Sequence, residues 1–272
     1  MVAGQLLGPL TGWAKGTMPS GFDVLAPHFD GWRGPAGTDE VDALTKLLGP
    51  SRTVLDVGGG TGRYATPLQE RGFRVTVVDP SLGMMGEARK KGVRACVAAR
   101  AECLPFGEAC LDSALFVEML HLVPKWVDAV HEMGRVARDR VVALVKERVP
   151  DGRRIYLENR ARVLGPTGRL DEGVRAFRRM LPPAETIHVR TTTQRVDLAE
   201  VVDGYEKQGY LTAAAEGRVP KELPPGIEEV LRAARQEVRD KFGSGPVEQI
   251  ERVDAIMWPS EALRNFAQSG AE

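Results

Sequence analysis

Along residues 38–145, apolar side chains alternate between helical spacing and short continuous runs. In residues 38–48 they recur every three or four positions and stop at Gly49 and Pro50, which predicts an amphipathic helix. Five apolar runs then predict strands at 53–57, 74–78, 93–98, 111–117 and 141–145, with helices at 63–71, 82–91 and 125–137. Because parallel strands need long crossovers, this order predicts an α/β fold with a mostly parallel sheet and helices on both faces.

The pattern changes after residue 145. The predicted elements there are a helix with Val174, Phe177 and Met180 on one face, a strand at 186–196, a helix from its N-cap Asp197 to Gln208, a helix at 226–242 and a strand at 247–258. We expect the sheet to resume in these two strands, with the other helices as a C-terminal cap insertion over its carboxyl edge. The chain then divides into a lead-in (1–37), an α/β core (38–146) and the cap with the final strands (147–272).

Charge and composition restrict the function classes. The 272 residues include 37 Lys plus Arg and 37 Asp plus Glu, so no net field attracts nucleic acid or an acidic membrane. No apolar stretch reaches the roughly 20 residues of a membrane span, and the first residues lack the basic region of a secretory signal, so we expect a cytoplasmic protein. Three cysteines without a C-x-x-C pair and four scattered histidines predict neither a disulfide framework nor a metal site.

A glycine-rich turn follows the first predicted strand. In VLDVGGGTGR the strand passes through Asp56 into Gly58, Gly59, Gly60 and Gly62. Glycines let a ligand approach the backbone, and the helix that follows offers free N–H groups. The dinucleotide pattern G-x-G-x-x-G, counted from Gly58, requires glycine where this chain has Arg63. A cationic or zwitterionic cofactor, which suits Asp56, is therefore the better expectation.

Asp79 ends the second predicted strand, about 20 residues after the first glycine. A carboxylate at this place can accept hydrogen bonds from both hydroxyls of a ribose. The alternative is that Asp79 is the N-cap of the next helix, a role that Ser81 could also fill. A ribose would fit several adenosine cofactors, so Asp79 does not choose between them.

Residues 53 to about 146 resemble the class I S-adenosylmethionine-dependent methyltransferases, particularly the type-11 branch that includes the ubiquinone and menaquinone C-methyltransferases. VLDVGGGTGR resembles the first motif of that family, VVDPSLGMM the second, ARAECLPF the third and DSALFVEMLHLV the fourth. The resemblance implies a Rossmann-like fold, S-adenosylmethionine as cofactor and methyl transfer to a small-molecule acceptor. FDVLAPHFDGWR, residues 22–33, is similar to the short helix that precedes this fold and closes over the methionine end of the cofactor.

The resemblance also implies a set of cofactor-binding residues, with Asp79 at the ribose and Met84 against the adenine. They are Asp56, Gly58, Gly59, Gly60, Gly62, Asp79, Pro80, Met84, Arg100, Ala101 and Glu118. Arg100 replaces the acid that contacts the adenine amino group in the family, and the backbone of Ala101 could serve instead. HEMGRVARDR resembles the segment before the fifth strand but lacks its Pro-Gly-Gly, so the turn there must be built differently.

Three functions remain open from the sequence. The first is a methyltransferase, in which His121, the candidate catalytic residue, or Glu118 would be a base near the end of the fourth strand. Alternatively, His121 packs against the cap and Glu118 touches the cofactor. The second function is a non-catalytic S-adenosylmethionine-binding protein, which Arg100 and the lost Pro-Gly-Gly suggest. The third is a nicotinamide-dependent oxidoreductase, against which Arg63 argues. A homodimer is the assembly we expect.

Overall fold

The computed structural model describes residues 21–123, 125–164, 177–204 and 226–268. Val174 and the predicted helical residues 205–208 lie outside this part of the chain. The described helices are α1 Gly21–Arg33, α2 Thr38–Leu48, α3 Ala65–Glu70, α4 Leu82–Lys90, α5 Trp126–Val136, α6 Gly152–Leu164, α7 Ile227–Phe242 and α8 Ser260–Gln268, with a 3₁₀ turn at Leu120–Leu122. The strands are β1 Thr53–Val57, β2 Arg74–Asp79, β3 Ala95–Ala98, β4 Leu111–Val117, β5 Ala137–Val149, β6 Glu185–Val196 and β7 Val247–Pro259.

These strands form one seven-stranded sheet in the order β3-β2-β1-β4-β5-β7-β6. The first five strands run parallel to their neighbours, and β7 is antiparallel to both β5 and β6. The predicted fold class is therefore confirmed. Since every parallel strand returns through a crossover, the carboxyl ends of β1, β2, β3 and β4 meet at one edge of the sheet.

The two faces of the sheet have separate apolar layers. Leu44 and Leu47 of α2, with Leu68 of α3, cover one face and are at most 1% exposed. Met133 of α5 and Leu263 of α8 are fully buried on the other face. Strands covered on both faces must be apolar throughout, which explains the continuous runs in the sequence.

The junction before β5, where the sequence lacks Pro-Gly-Gly, is direct. α5 ends at Val136 and β5 begins at Ala137, without a loop between them. Arg264 of α8 donates to the carbonyl oxygens of Gly134 (2.8 Å) and Ala137 (3.3 Å). A side chain from the end of the chain thus satisfies carbonyls at the end of α5.

The cap has an apolar core of its own. β5 continues to Val149 and β6 to Val196, and both strands end where the cap begins. Asp197 accepts a hydrogen bond from the Ala199 amide (2.9 Å), so it caps helical residues 198–204 as predicted. The buried residues of this core come from α6, residues 198–204 and α7: Ile155, Tyr156, Leu198, Val202, Ile227, Val230, Leu231, Ala234 and Val238.

The expectation that Phe177 and Met180 share one apolar face is wrong. Phe177 is fully buried, with its ring centroid 4.6 Å from that of Trp258, whereas Met180 is 50% exposed. Residues 177–180 form a single helical turn that leads to β6. The turn packs through Phe177 against β7, and its last residue points to solvent.

Candidate functional site

The glycine loop between β1 and α3 lies at the carboxyl edge of the sheet. Gly58, Gly60 and Gly62 have φ angles of 68°, 54° and 72°. The amides of Gly58 and Gly59 both donate to the Val78 carbonyl oxygen, at 2.7 and 3.3 Å. The loop is therefore tied to the end of β2, where Asp79 lies. At Gly60 the left-handed backbone turns the N–H towards that carboxylate, so a side chain there would be strained.

Asp79 uses both carboxylate oxygens on backbone amides. Oδ2 accepts from the Gly60 amide at 3.0 Å and Oδ1 from the Ser81 amide at 2.8 Å. Ser81 is the N-cap of α4, because its hydroxyl oxygen accepts from the Met84 amide at 3.1 Å. Asp79 is thus not needed as the cap. Each of its oxygens retains a second lone pair for a ligand hydroxyl.

Asp56 is a buried carboxyl group directly beneath the glycine loop. It is 2% exposed, and its Oδ2 has no hydrogen-bond partner among the described residues. A Cβ atom on Gly59 would lie only 2.6 Å from that oxygen, so this loop position must be glycine. An unpaired acceptor buried beneath a loop is costly unless a ligand or a proton satisfies it.

The electrostatics of this pair favour a positively charged ligand. Burial and the charge of Asp79 raise the pKa of Asp56 to about 7. Burial also raises the pKa of Asp79 to about 6, although the amides of Ser81 and Gly60 partly oppose this. Two carboxyl groups that resist ionisation together gain most from a nearby cation.

Helix α1 crosses the start of α4 and contacts the glycine loop. The Asp23 carboxylate accepts from the Ser81 hydroxyl (2.6 Å) and from the Gly83 amide (2.7 Å). The Asp30 carboxylate accepts from the Thr61 hydroxyl at 2.6 Å. α1 is thereby fixed at both ends over the edge where Asp56 and Asp79 meet.

Arg63, which breaks the dinucleotide pattern, has a structural role. Its guanidinium donates to the carbonyl oxygens of Gly34 (2.8 Å) and Pro35 (2.9 Å), just after α1. It also donates to the Tyr64 hydroxyl at 2.9 Å. The side chain thus joins the loop to the end of α1.

Glu118 and His121 follow β4 at the same edge of the sheet. Glu118 has a φ angle of 48°, a conformation that side chains rarely adopt and that often marks functional sites. Its carboxylate pairs with Arg33 of α1 at 3.3 Å. His121 lies in the 3₁₀ turn and is partly exposed. Met119, between them, would contact a Cβ on Gly58 at 2.9 Å, so this segment packs against the glycine loop.

The remaining predicted residues lie at the ends of β2 and β3, which are paired at Asp79 and Ala98. Met84 and Ala101 are buried, at 2% and 7% exposure, and Pro80 is exposed. The Arg100 guanidinium pairs with Glu102 at 2.9 Å and its side chain is 63% exposed. The structure thus brings all the predicted residues to one edge.

Sequence reasoning missed Asp23, Asp30, Arg33 and Thr61. The first three lie on α1, and each reaches a partner more than 30 positions away in the chain. The resemblance of residues 22–33 predicted the helix, but no spacing or composition signal indicated which of its side chains face the loop.

The stretch of sequence that forms this edge of the sheet matches a known protein family. Residues 55–145 match the type-11 family described as "Methyltransferase domain". The chain therefore contains a type-11 methyltransferase domain. The family and cofactor expected from the sequence, the class I methyltransferases and S-adenosylmethionine, are confirmed for this domain.

Individual relatives match parts of the chain. The biotin biosynthesis bifunctional protein of Cellvibrio japonicus is 29% identical over 196 residues, which are 69% of this chain and 34% of that protein. A demethylmenaquinone methyltransferase of Renibacterium salmoninarum is 31% identical over 127 residues, which are 43% of this chain and 52% of that protein. The chain thus spans less than two thirds of the length of either relative.

Among solved structures, the YcgJ protein of Bacillus subtilis is similar with a TM-score of 0.50 and 18% identity, covering 79% of this chain and 97% of that one. This likeness shows a shared fold. Within the described residues, no helix is long and apolar enough to cross a membrane. That part of the chain also holds no group of three or more His, Cys, Asp or Glu side chains suited to a metal ion.

Proposed function

We propose that this chain transfers a methyl group from S-adenosylmethionine to a small-molecule acceptor. The observation that carries the proposal is the Asp56 carboxyl group, whose Oδ2 is buried beneath the glycine loop without a partner among the described residues. It lies beside Asp79, whose oxygens retain lone pairs for hydroxyls. A ligand that combines a positive charge with a ribose would satisfy both carboxylates, and S-adenosylmethionine is such a ligand.

The proposed cofactor contacts follow from this arrangement. Asp79 would accept the ribose hydroxyls, Asp56 would attract the positive charge, and Met84 and Ala101 would border the adenine. Arg100 would lie at the adenine edge, with Glu118 beside the methionine end under α1. The full proposed set is Asp56, Gly58, Gly59, Gly60, Gly62, Asp79, Pro80, Met84, Arg100, Ala101 and Glu118.

When bound, S-adenosylmethionine supplies a methyl group on a sulfonium that leaves readily, so the hard chemistry belongs to the cofactor. The protein mainly has to align the acceptor and exclude water. The Asp23 and Asp30 contacts of α1 would cover the loop and keep water out. The cap, at the carboxyl ends of β5 and β6, would border the acceptor, since ligands of open α/β sheets bind beyond these ends.

A general base is a separate proposal. His121 is the candidate, because it follows β4 and is partly exposed at the same edge as Glu118. With an acceptor identified, His121→Ala should lower turnover at least about tenfold if His121 takes a proton. Unchanged turnover in a folded variant would remove it as a base and leave the packing role.

Arginines are frequent between residues 153 and 179, where they could either contact an anionic acceptor or form a solvated face. Arg154, Arg162 and Arg178 are paired with Glu158, Glu237 and Glu147 at 2.7, 3.2 and 2.9 Å. Because these guanidinium groups already have carboxylate partners, the pairs support the solvated face. The homodimer, the cytoplasmic location and the division at residues 37 and 146 remain proposals from the sequence.

Calorimetry tests the cofactor site. We expect the parent protein to bind S-adenosylmethionine and S-adenosylhomocysteine but not NADH, and Asp79→Asn to weaken both interactions at least about tenfold, because two hydroxyls lose a charged acceptor. Asp112→Asn is the matched control, since Asp112 also accepts two backbone amides but lies at the amino end of β4. Binding of NADH alone would overturn the proposal.

Transfer itself needs a second test. Methyl-labelled S-adenosylmethionine, incubated with the protein and a metabolite extract, should yield a labelled small molecule. Cofactor binding without any transfer of label would favour the non-catalytic binding protein instead.

A further inference from the structure

A buried ionic cluster joins the glycine loop to the far side of the sheet. Its centre is the Glu40 carboxylate in the first turn of α2, which is 1% exposed. Tyr64, two residues after the last glycine of the loop, donates its hydroxyl to Glu40 Oε2 at 2.7 Å. Lys146 of β5 and Arg190 of β6 approach Glu40 Oε1 at 2.9 and 2.6 Å.

Glu40 Oε2 also accepts locally from the Gly37 amide at 3.4 Å, but its three side-chain partners come from distant elements. In the strand order, β6 is four strands from β1, and neighbouring strands are about 4.8 Å apart, so the two backbones are separated by roughly 19 Å. The Arg190 side chain covers part of this distance on the face of the sheet that α2 covers, and it also pairs with Asp39 at 2.7 Å. Glu40 is therefore a direct physical link between the edge strand and the residue that follows the glycine loop.

The link continues from Tyr64 to α1. Arg63 donates to the Tyr64 hydroxyl, and the same guanidinium holds the Gly34 and Pro35 carbonyls at the end of α1. A shift of the Glu40 carboxylate would thus displace both the glycine loop and α1, which lies over that loop. Burial alone would raise the pKa of Glu40, but the donors from Tyr64, Lys146 and Arg190 lower it to about 2, so the carboxylate is charged.

We infer that Glu40 is a positioning residue through which β5 and β6 control the geometry of the glycine loop, so that cofactor affinity depends on the remote Arg190. The inference rests on the proposed function, because it takes S-adenosylmethionine as the ligand of the loop. Loss of Arg190 leaves the buried carboxylate with one cation fewer, and we expect it to move towards Lys146, which remains 2.9 Å from Oε1, and so to change its contact with Tyr64. Affinity then falls although no cofactor contact has been removed.

The test compares two substitutions on the same strand. Arg190→Met should raise the calorimetric Kd for S-adenosylmethionine at least about fivefold, a coupling of ordinary size between sites. Arg195→Met is the control, since Arg195 also lies on β6 but donates to the Pro246 carbonyl oxygen instead. Tyr64→Phe should raise the Kd similarly. In the double variant Arg190→Met/Tyr64→Phe, the increase in Kd should be smaller than the product of the two single increases, because both substitutions act through Glu40.

Hydrogen exchange of the parent protein supplies an independent measurement. Because coupling is reciprocal, S-adenosylmethionine should slow exchange of the β6 amides around Arg190 more than that of α7 amides. If the parent binds the cofactor while Arg190→Met binds within twofold and β6 exchange does not change, the inference is wrong. If the parent does not bind the cofactor, the proposed function itself fails.

Discussion

At the scale of single residues, the site combines groups that are unfavourable for an unliganded protein. Asp56 has a buried oxygen without a partner in the described part of the chain, and Glu118 has a left-handed backbone. Such features persist where function requires them, since packing alone would favour an apolar residue and an ordinary φ. The glycine loop and Asp56 could be predicted from the sequence, because an acid two residues before a run of glycines is a local pattern.

Asp56→Asn should stabilise the unliganded protein at alkaline pH. The pKa of Asp56 is raised from 3.8 to about 7, so between these values the folded state holds a proton that the unfolded state has lost. Stability therefore falls as pH rises through this window, and asparagine removes the effect. We expect a gain of about 4 kcal/mol in the free energy of unfolding at pH 8, disappearing below about pH 4, by urea unfolding.

The control, Asp112→Asn, should change the free energy of unfolding in the opposite direction. Backbone amides of Thr53 and Arg52 lower the pKa of Asp112, so its charged form stabilises the folded state. Asp112→Asn should lose stability at pH 8. An Asp56→Asn protein that is also less stable than the parent at pH 8 would show that the Asp56 charge is satisfied in the unliganded protein.

At the scale of elements, α1 is held by carboxylates that accept hydrogen bonds. Asp23 accepts from Ser81 and Gly83, and Asp30 accepts from Thr61. A Cβ on Gly83 would lie 2.6 Å from the Asp23 carbonyl oxygen, so the two backbones are in close contact. The start of α4 thus holds α1 over the proposed site, because Gly83 allows close approach of the two backbones and Ser81 and Gly83 donate hydrogen bonds.

Asp23→Ala should speed the release of S-adenosylhomocysteine. Loss of a charged acceptor from two hydrogen bonds weakens the attachment of α1, and each such bond contributes about 1.5–3 kcal/mol. We expect the dissociation rate in stopped-flow measurements to rise at least about tenfold. Asp240→Ala, on the exposed last turn of α7, is the control and should leave the rate unchanged. Equal rates for Asp23→Ala and the parent would mean that α1 does not retain the ligand.

The elements of the core were predictable because their signals are local. Runs such as VLDV and ALFV are buried on both sides and read as parallel strands. The α8 helix was missed, although Ala262, Leu263 and Phe266 recur at helical spacing; it begins at Ser260 directly after β7 and packs against α5. A Cβ on Gly134 would lie 2.7 Å from the Leu263 Cβ, which is a fit between distant segments that no spacing in the sequence indicates.

At the scale of the whole molecule, the described part of the chain forms three apolar cores. Two lie on the faces of the sheet and the third, built by α6, α7 and residues 198–204, lies within the cap. Among the residues that the structure describes, the cap core has the fewest buried ones. The arrangement of two strands around a helical insertion was predictable from the change of pattern after Val145, but the extension of β5 to Val149 depends on its pairing with β7.

The cap should open before the sheet does. A small separate core gives a cooperative unit of lower stability, so amides of α7 should exchange faster than those of β4 and the central part of β5. Hydrogen exchange followed by mass spectrometry measures this directly. Equal protection of α7 and β4 would show that cap and sheet unfold together.

Binding of S-adenosylmethionine measured by calorimetry across pH tests the role of the buried carboxylates most directly. Asp56 and Asp79, with pKa values near 7 and 6 in the unliganded protein, must lose their protons to hold a cation and a ribose. We predict that affinity falls at least about tenfold between about pH 7.5 and pH 5, with proton release on binding near pH 6. Tight binding that is unchanged across this pH range, or no binding at any pH, would contradict the proposed role of Asp56 and Asp79.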